Sequence, residues 1–151
     1  MARQDGTKSY SDTSVSVERT QSQLGKLLEK HNALGYQFTS DLAGGQFQLR
    51  FQLETEVDNN RLKVMVQLSI PRGEEGADQR ANMRALYWFL KSQLEAIEFG
   101  IVKAADVFLP FIEITLPSGA TGTIKDAIKP AMKNITGGGL LQLPEGLNDE
   151  T

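Results

Sequence analysis

Between residues 47 and 70 apolar and polar side chains alternate one for one, first as Phe47, Leu49, Phe51, Leu53 and then as Leu62, Val64, Val66, Leu68, Ile70. Successive side chains of a strand point to opposite faces, so this period specifies strands with one buried face and one wet face. A slip of one residue would carry a strand's apolar set into water, so the pattern also constrains register.

Turn chemistry divides the stretch. With Gly44-Gly45 as a two-residue turn, Leu42 faces Phe47, Phe38 faces Phe51 and Tyr36 faces Leu53. With Asp58-Asn59 as the next turn, Leu53 meets Val64, Phe51 meets Val66 and Leu49 meets Leu68. The outer face then sets Glu56 opposite Arg61 and Glu54 opposite Lys63, pairs worth about 0.2–1 kcal/mol each. Charge and apolar pattern agree on this second register.

Flanking segments read as helices and short strands. Val15 and Val17, with Tyr10 upstream, suggest a first strand. Thr20 opens a helix with Gln23 in capping-box position, an apolar stripe of Leu24, Leu27, Leu28 and His31, and Gly35 after its end. After the loop Pro71–Gly76, Asp78 caps a long helix on which Met83, Leu86, Leu90, Leu94, Ile97 and Ile101 recur at three- and four-residue steps. Phe111–Leu116 reads as a last strand, ended by Pro117-Ser118-Gly119. An amphipathic helix with Ile124, Ile128 and Met132 inside is interrupted by Pro130. Gly137-Gly138-Gly139 reads as a hinge before Leu140, Leu141 and Leu143, which dock back.

The expected fold is therefore α+β: an antiparallel sheet of four to five strands (central meander 36–70) backed by a long helix (78–100), with shorter helices at 20–34 and 123–134. One domain spans 1–144 with a loose tail over 1–9, and an acidic tail follows at 145–151. The expected core is Tyr36, Phe38, Phe47, Leu49, Phe51, Leu53, Val64, Val66, Leu68, Leu86, Leu90, Leu94 and Ile97.

The chain has 151 residues, 40% hydrophobic and 23% charged, enough for one core of ordinary globular composition. No apolar run reaches the roughly 18 residues of a membrane span, and residues 1–14 hold no apolar signal-peptide segment. The absence of cysteine excludes disulfides, thiolate metal sites and thiol catalysis. A cytoplasmic setting, in the protein's own cell or in a host's, fits these features. Of the 19 acidic residues, Glu145, Asp149 and Glu150 lie in the last seven positions; the remaining body balances its 16 basic residues. Local distribution must therefore make any case for nucleic acid.

Catalytic material is sparse. The single histidine, His31, falls on an apolar helix side, where it reads as a packed helix-end residue. Zinc-protease, nucleophile-elbow and phosphate-loop motifs are missing. Glu54, Glu56 and Asp58 could suggest a metal site, but Arg61 and Lys63 opposite them read as salt-bridge partners. The expectation is a non-enzyme without cofactor or metal.

Binding has more support. The outer face of the meander carries Gln48, Arg50, Gln52, Lys63, Met65 and Gln67, and Arg72, Arg80, Arg84 and Lys91 extend a basic track, diluted by Glu74, Glu75 and Asp78. Lys125, Lys129 and Lys133 form a second stripe. Cationic sheets that stack bases are a common means of holding single strands, although the aromatics of the meander fall mostly on its inner face. The acidic tail compares with those of single-strand binders, yet it is short and lacks an apolar tip. Ordinary solvated surface is the alternative for each patch.

Three segments carry a resemblance: Val15–Leu24 (VSVERTQSQL) with Leu27–His31 (LLEKH), Leu90–Ile101 (LKSQLEAIEFGI) and Phe108–Gly119 (FLPFIEITLPSG). Across most of residues 15–143 they resemble an uncharacterised family of small phage- and prophage-associated proteins. Those motifs are structural and supply no catalytic residues. The chain departs from the pattern in its short 71–79 loop and in lacking a tryptophan after the last strand. The resemblance implies a phage-associated accessory protein in DNA metabolism.

Two functions follow as expectations. One is a non-enzymatic module, oligomeric with itself, that binds single-stranded nucleic acid through Gln48, Arg50, Gln52, Lys63, Met65, Gln67, Arg72, Arg80 and Arg84. The other is a protein–protein adaptor or structural phage protein that meets a phage or host partner through apolar residues of the long helix, Tyr87, Trp88 and Phe99, without touching nucleic acid.

Overall fold

The computed structural model describes residues 9–133. The chain runs through α1 (Val17–Lys30), β1 (Gly35–Asp41), β2 (Gln46–Val57), β3 (Asn60–Pro71), α2 (Gly76–Glu98), the short α3 (Ala104–Val107), a 3-10 turn at Leu109–Phe111, β4 (Glu113–Thr115), β5 (Thr121–Thr123) and α4 (Ile124–Met132). The architecture is α+β. The expected hinge at 137–139, the leucines beyond it, the acidic tail and residues 1–8 lie outside the described residues.

The strands form two antiparallel sheets, β1-β2-β3 and β4-β5, in place of one sheet of four or five. The join fails for a local reason. Ile112 makes a single antiparallel bridge to Val66, but its carbonyl then accepts from the Ile124 N–H at 3.0 Å. The following residues pair with β5, so the ladder along β3 stops after one rung.

The β2–β3 register is the expected one, with Leu53 opposite Val64, Glu54 opposite Lys63 and Glu56 opposite Arg61. Asp58 and Asn59 both take positive φ, 49° and 65°, as a tight hairpin turn requires. Arg61 reaches diagonally to Glu54 at 2.9 Å, an exposed pair of small energetic weight.

The β1–β2 register is displaced by two residues from expectation: Tyr36 faces Phe51, Phe38 faces Leu49 and Ser40 faces Phe47. The connection is a four-residue loop, in which Asp41 Oδ1 accepts from the Gly44 N–H at 2.9 Å and Gly45 carries the positive φ. Leu42 is left in the loop, 73% exposed. A two-residue shift preserves the faces, so the inner side of β2 stays apolar.

The expected strand at 15–17 is replaced by a helix start. Ser16 Oγ accepts from the Arg19 N–H at 3.1 Å, so the cap is Ser16 and Thr20 lies buried inside α1. A cap satisfies an orphan amide directly, whereas three alternating residues offer a strand little. At the other end Asn32, not Gly35, takes the left-handed position, with φ 63°. α2 starts two residues ahead of Asp78, which sits in its first turn. It stops where Gly100 turns to φ 74°.

α1 and α2 cover one face of the three-stranded sheet. Leu24 and Leu28 of α1, Leu49 and Phe51 of β2, Val66 and Leu68 of β3, and Met83, Leu86, Leu90 and Leu94 of α2 form the buried cluster with Phe108. Burying each such side chain stabilises by about 1.5–3 kcal/mol. Phe38, Val64 and Ile97 are only partly buried. Tyr36 is exposed at the sheet edge, its hydroxyl lying against α1, where a Cβ on Gly25 would come within 2.5 Å of it.

The start of α4 is held by Asp126, whose Oδ2 accepts from both the backbone N–H (3.1 Å) and hydroxyl (3.0 Å) of Thr123. The Thr123 N–H bond is the main cause that lowers the Asp126 pKa, with the Thr123 hydroxyl, Lys125 and Lys129 adding to it against partial burial. A carboxylate with a depressed folded pKa contributes above its unfolded value and loses that contribution as acid protonates it. Asp126→Asn is expected to cost about 0.5–2 kcal/mol at neutral pH. Thermal melts should show that gap closing as pH falls below the usual carboxylate range.

Candidate nucleic-acid interface

The nine residues expected to meet nucleic acid lie on two opposite sides of the sheet. Even positions of β2 and odd positions of β3 share the face away from the helices, which places Gln48, Arg50, Gln52, Lys63, Met65 and Gln67 together. Arg72 has the parity of Leu68 and Ile70 and lies on the helix side, its guanidinium 5.8 Å from the centroid of the Phe47 ring. Arg80 and Arg84 stand on α2. With the sheet between them, the two groups form no continuous surface.

On the outer face Lys63 is exposed and the other five residues are half-buried. Arg50 is engaged within the protein. Its Nε and Nη2 donate to Glu113 Oε1 and Oε2 at 2.6 and 2.8 Å, and Nη1 donates to Gln37 Oε1 at 3.4 Å. The Glu113 hydrogen bond, the largest cause, raises the Arg50 pKa beyond its ordinary value, with the attraction of the two charges adding and desolvation opposing. A two-pronged carboxylate already occupies the fork that a phosphate would use. Lys63 forms no ion pair among the described residues.

The helix side is different. Arg84 donates to Thr20 Oγ1 and Gln23 Oε1 of α1. Its guanidinium lies 4.5 Å from the centroid of Tyr87 and 5.8 Å from that of Trp88. Lys91 Nζ stands 5.2 Å over Trp88, and the two aromatic rings meet edge to face at 5.2 Å. Trp88 remains 42% exposed. Arg80 Nε donates to the Thr13 carbonyl at 3.3 Å. Lys91 pairs with Glu95 at 3.2 Å, but Arg72, Arg80 and Arg84 form no ion pair among the described residues. The side-chain hydrogen-bond partners of Arg80 and Arg84 are neutral, and Arg72 Nε has none among the described residues.

Tyr87 and Trp88 are not among the residues expected to meet nucleic acid; the sequence reading assigns them to a protein partner. The available signal was the spacing of Arg80, Arg84, Trp88 and Lys91, whose steps of four, four and three residues keep them on one flank of a helix. In α4, Lys125 Nζ stands 5.3 Å from the Phe111 ring centroid.

His31 caps the end of α1, and its buried Nε2 has no partner among the described residues. It lines a cleft with Leu53, Leu94, Ile97 and two carboxylates, Glu54 and Glu98. No group of three or more histidines and carboxylates suited to a metal ion occurs among the described residues. Nor is any helix among them long and apolar enough to cross a membrane. Comparison with protein-family models, curated proteins and solved structures finds no match to this chain.

Proposed function

We propose that this is a non-catalytic, phage-associated accessory protein of DNA metabolism that binds single-stranded nucleic acid along the α1-side flank of α2. The observation that carries the proposal is Trp88, exposed and flanked by the cations of Arg84 and Lys91. Every base has a π-face, so an exposed indole offers sequence-tolerant stacking while neighbouring cations hold phosphates. Arg80 and Arg84 extend the positive charge toward the start of the helix, while Lys63 stands on the opposite face of the sheet and takes no part. The family resemblance supports the setting in phage DNA metabolism.

Trp88 is the only tryptophan, so its fluorescence reports directly on contact. Titration with a short oligothymidine at low salt is expected to quench it, with affinity falling steeply as salt rises. Trp88→Ala, followed by anisotropy of a labelled strand, should cost about 1–3 kcal/mol of binding, and Arg84→Gln should reduce the salt slope by about one ion. Unchanged fluorescence and anisotropy at low salt would end the proposal.

An adaptor reading is favoured by a separate apolar cleft of about 290 Å³ lined by Leu109, Pro110, Ile124, Ile128 and Met132. Leu109 and Met132 are exposed, and contiguous apolar surface of this kind suits a protein partner or a second copy. Met132→Glu, analysed by light scattering, should dissolve any oligomer built through it.

A further inference from the structure

The cleft at the start of α2 brings together two arginines, Arg72, which stands apart from the strand-binding flank, and Arg80, which borders it. It measures about 400 Å³, and Arg72, Arg80, Gln79, Gln21 and Ser16 line it beside the ring of Phe47. Arg72 Nε is buried without a hydrogen-bond partner among the described residues, although buried donors in folded proteins are almost always satisfied. Arg80 leaves its Nη groups free of any ion pair among the described residues, and Nη1 would lie 3.3 Å from a Cβ placed on Gly76, at the first turn of α2. Glu75, which precedes the first residue of α2, supplies no side-chain cap.

We infer that this cleft is a binding site for a phosphate monoester, held by the guanidinium groups of Arg72 and Arg80. Charge and size select that class. Two guanidinium groups without carboxylate partners match a dianion better than a single carboxylate, and their planar forks fit phosphate oxygens. Gln21, Gln79 and Ser16 add neutral donors. The volume exceeds what a bare phosphate fills and lies in the range of small-molecule sites, so the organic part of the monoester has room against Phe47. Glu18 is the carboxylate among the lining residues; it opposes an anion and thereby limits affinity.

Phenyl phosphate is the probe, titrated by calorimetry into the full chain at fixed ionic strength, with inorganic phosphate and chloride as comparisons. Phenyl phosphate is expected to bind about tenfold more tightly than inorganic phosphate because its ring fills apolar space. Arg80→Gln should weaken it about tenfold, and Arg72→Lys, which keeps charge but loses the fork, by several-fold. Glu18→Gln should tighten it about threefold, a change in the direction that no loss of folding would produce. Melting in chloride alone checks that each variant folds; should Arg72→Lys fail that check, Arg80→Gln and Glu18→Gln decide the matter. No heat beyond the chloride control, or affinity indifferent to both Arg80→Gln and Glu18→Gln, overturns the site.

A second arm separates two sources of the same chemistry. An oligothymidine with a 5′-phosphate that binds more tightly than its 5′-hydroxyl counterpart, by a margin that Arg80→Gln removes, identifies the ligand as a strand end. Phenyl phosphate binding with no such margin identifies a small phosphorylated molecule, and upholds the site even if the strand-binding proposal fails.

Discussion

Phe108→Ala should lower stability by about 3–5 kcal/mol, the range for deleting a fully buried aromatic side chain. Both Phe108 and Phe51 are 0% exposed, and their rings meet edge to face with centroids 5.4 Å apart. Removing one ring thus leaves a cavity and strips the other of its partner. The contact joins residues far apart in sequence, since Phe51 is central in β2 while Phe108 follows α3. Beside it, Thr55 Oγ1 of β2 accepts from the Ala105 N–H at 3.1 Å, a buried bond that fixes α3 on the sheet. Urea titration of Phe108→Ala should therefore shift the unfolding of the whole domain. Phe99→Ala, at a residue 79% exposed, should change stability by no more than about 0.5 kcal/mol. A small effect at Phe108, or a separate early transition of the C-terminal segment, would show that residues 104–132 do not share the core of the meander.

The importance of Phe108 could not be read from the sequence, and the reason is instructive. β2 and β3 were legible because two independent patterns, the apolar residues at odd positions of β2 and the charges at its even ones, select one register. Their turn was legible as well, since Asp58 and Asn59 tolerate the left-handed backbone. β1 carried only one pattern. Leu42 drew the pairing toward a two-residue turn, while the Asp41–Gly44 hydrogen bond, which sets the longer loop, leaves no mark in apolar periodicity. Phe108 directly follows a single helical turn, where neither period of two nor period of 3.6 can be established. The site behaved likewise. Side-chain parity put six of the nine expected contacts correctly on one face, but Arg72 obeys that same parity on the opposite face. The engagement of Arg50 by Glu113, 63 residues away, lies beyond any local reading.

Glu113→Gln should destabilise the domain by about 1–3 kcal/mol, the range for a charge-assisted bond whose buried partner is left behind. The lower half is expected, because the Arg50 side chain keeps 35% of its exposure while Glu113 keeps 11%, so water partly compensates Arg50. Arg50→Gln should cost a similar amount. A folded-state pKa raised above the unfolded value stabilises below the unfolded value and ceases to do so only as pH climbs through the folded one. For Arg50 that window begins above the ordinary arginine range, so the gap between wild type and Arg50→Gln should not change between neutral pH and pH of about 10. The same two variants decide between the two faces of the sheet. Glu113→Gln liberates a guanidinium on the outer face without adding charge elsewhere. If strands bind along α2, it should alter oligonucleotide affinity by less than about twofold, apart from the small long-range effect of one lost negative charge. A gain of tenfold or more, abolished by adding Arg50→Gln, would move the contact surface to Gln48, Gln52, Lys63, Met65 and Gln67. Arg50 would then be a phosphate ligand that Glu113 holds in reserve, and the α2 flank would lose its claim.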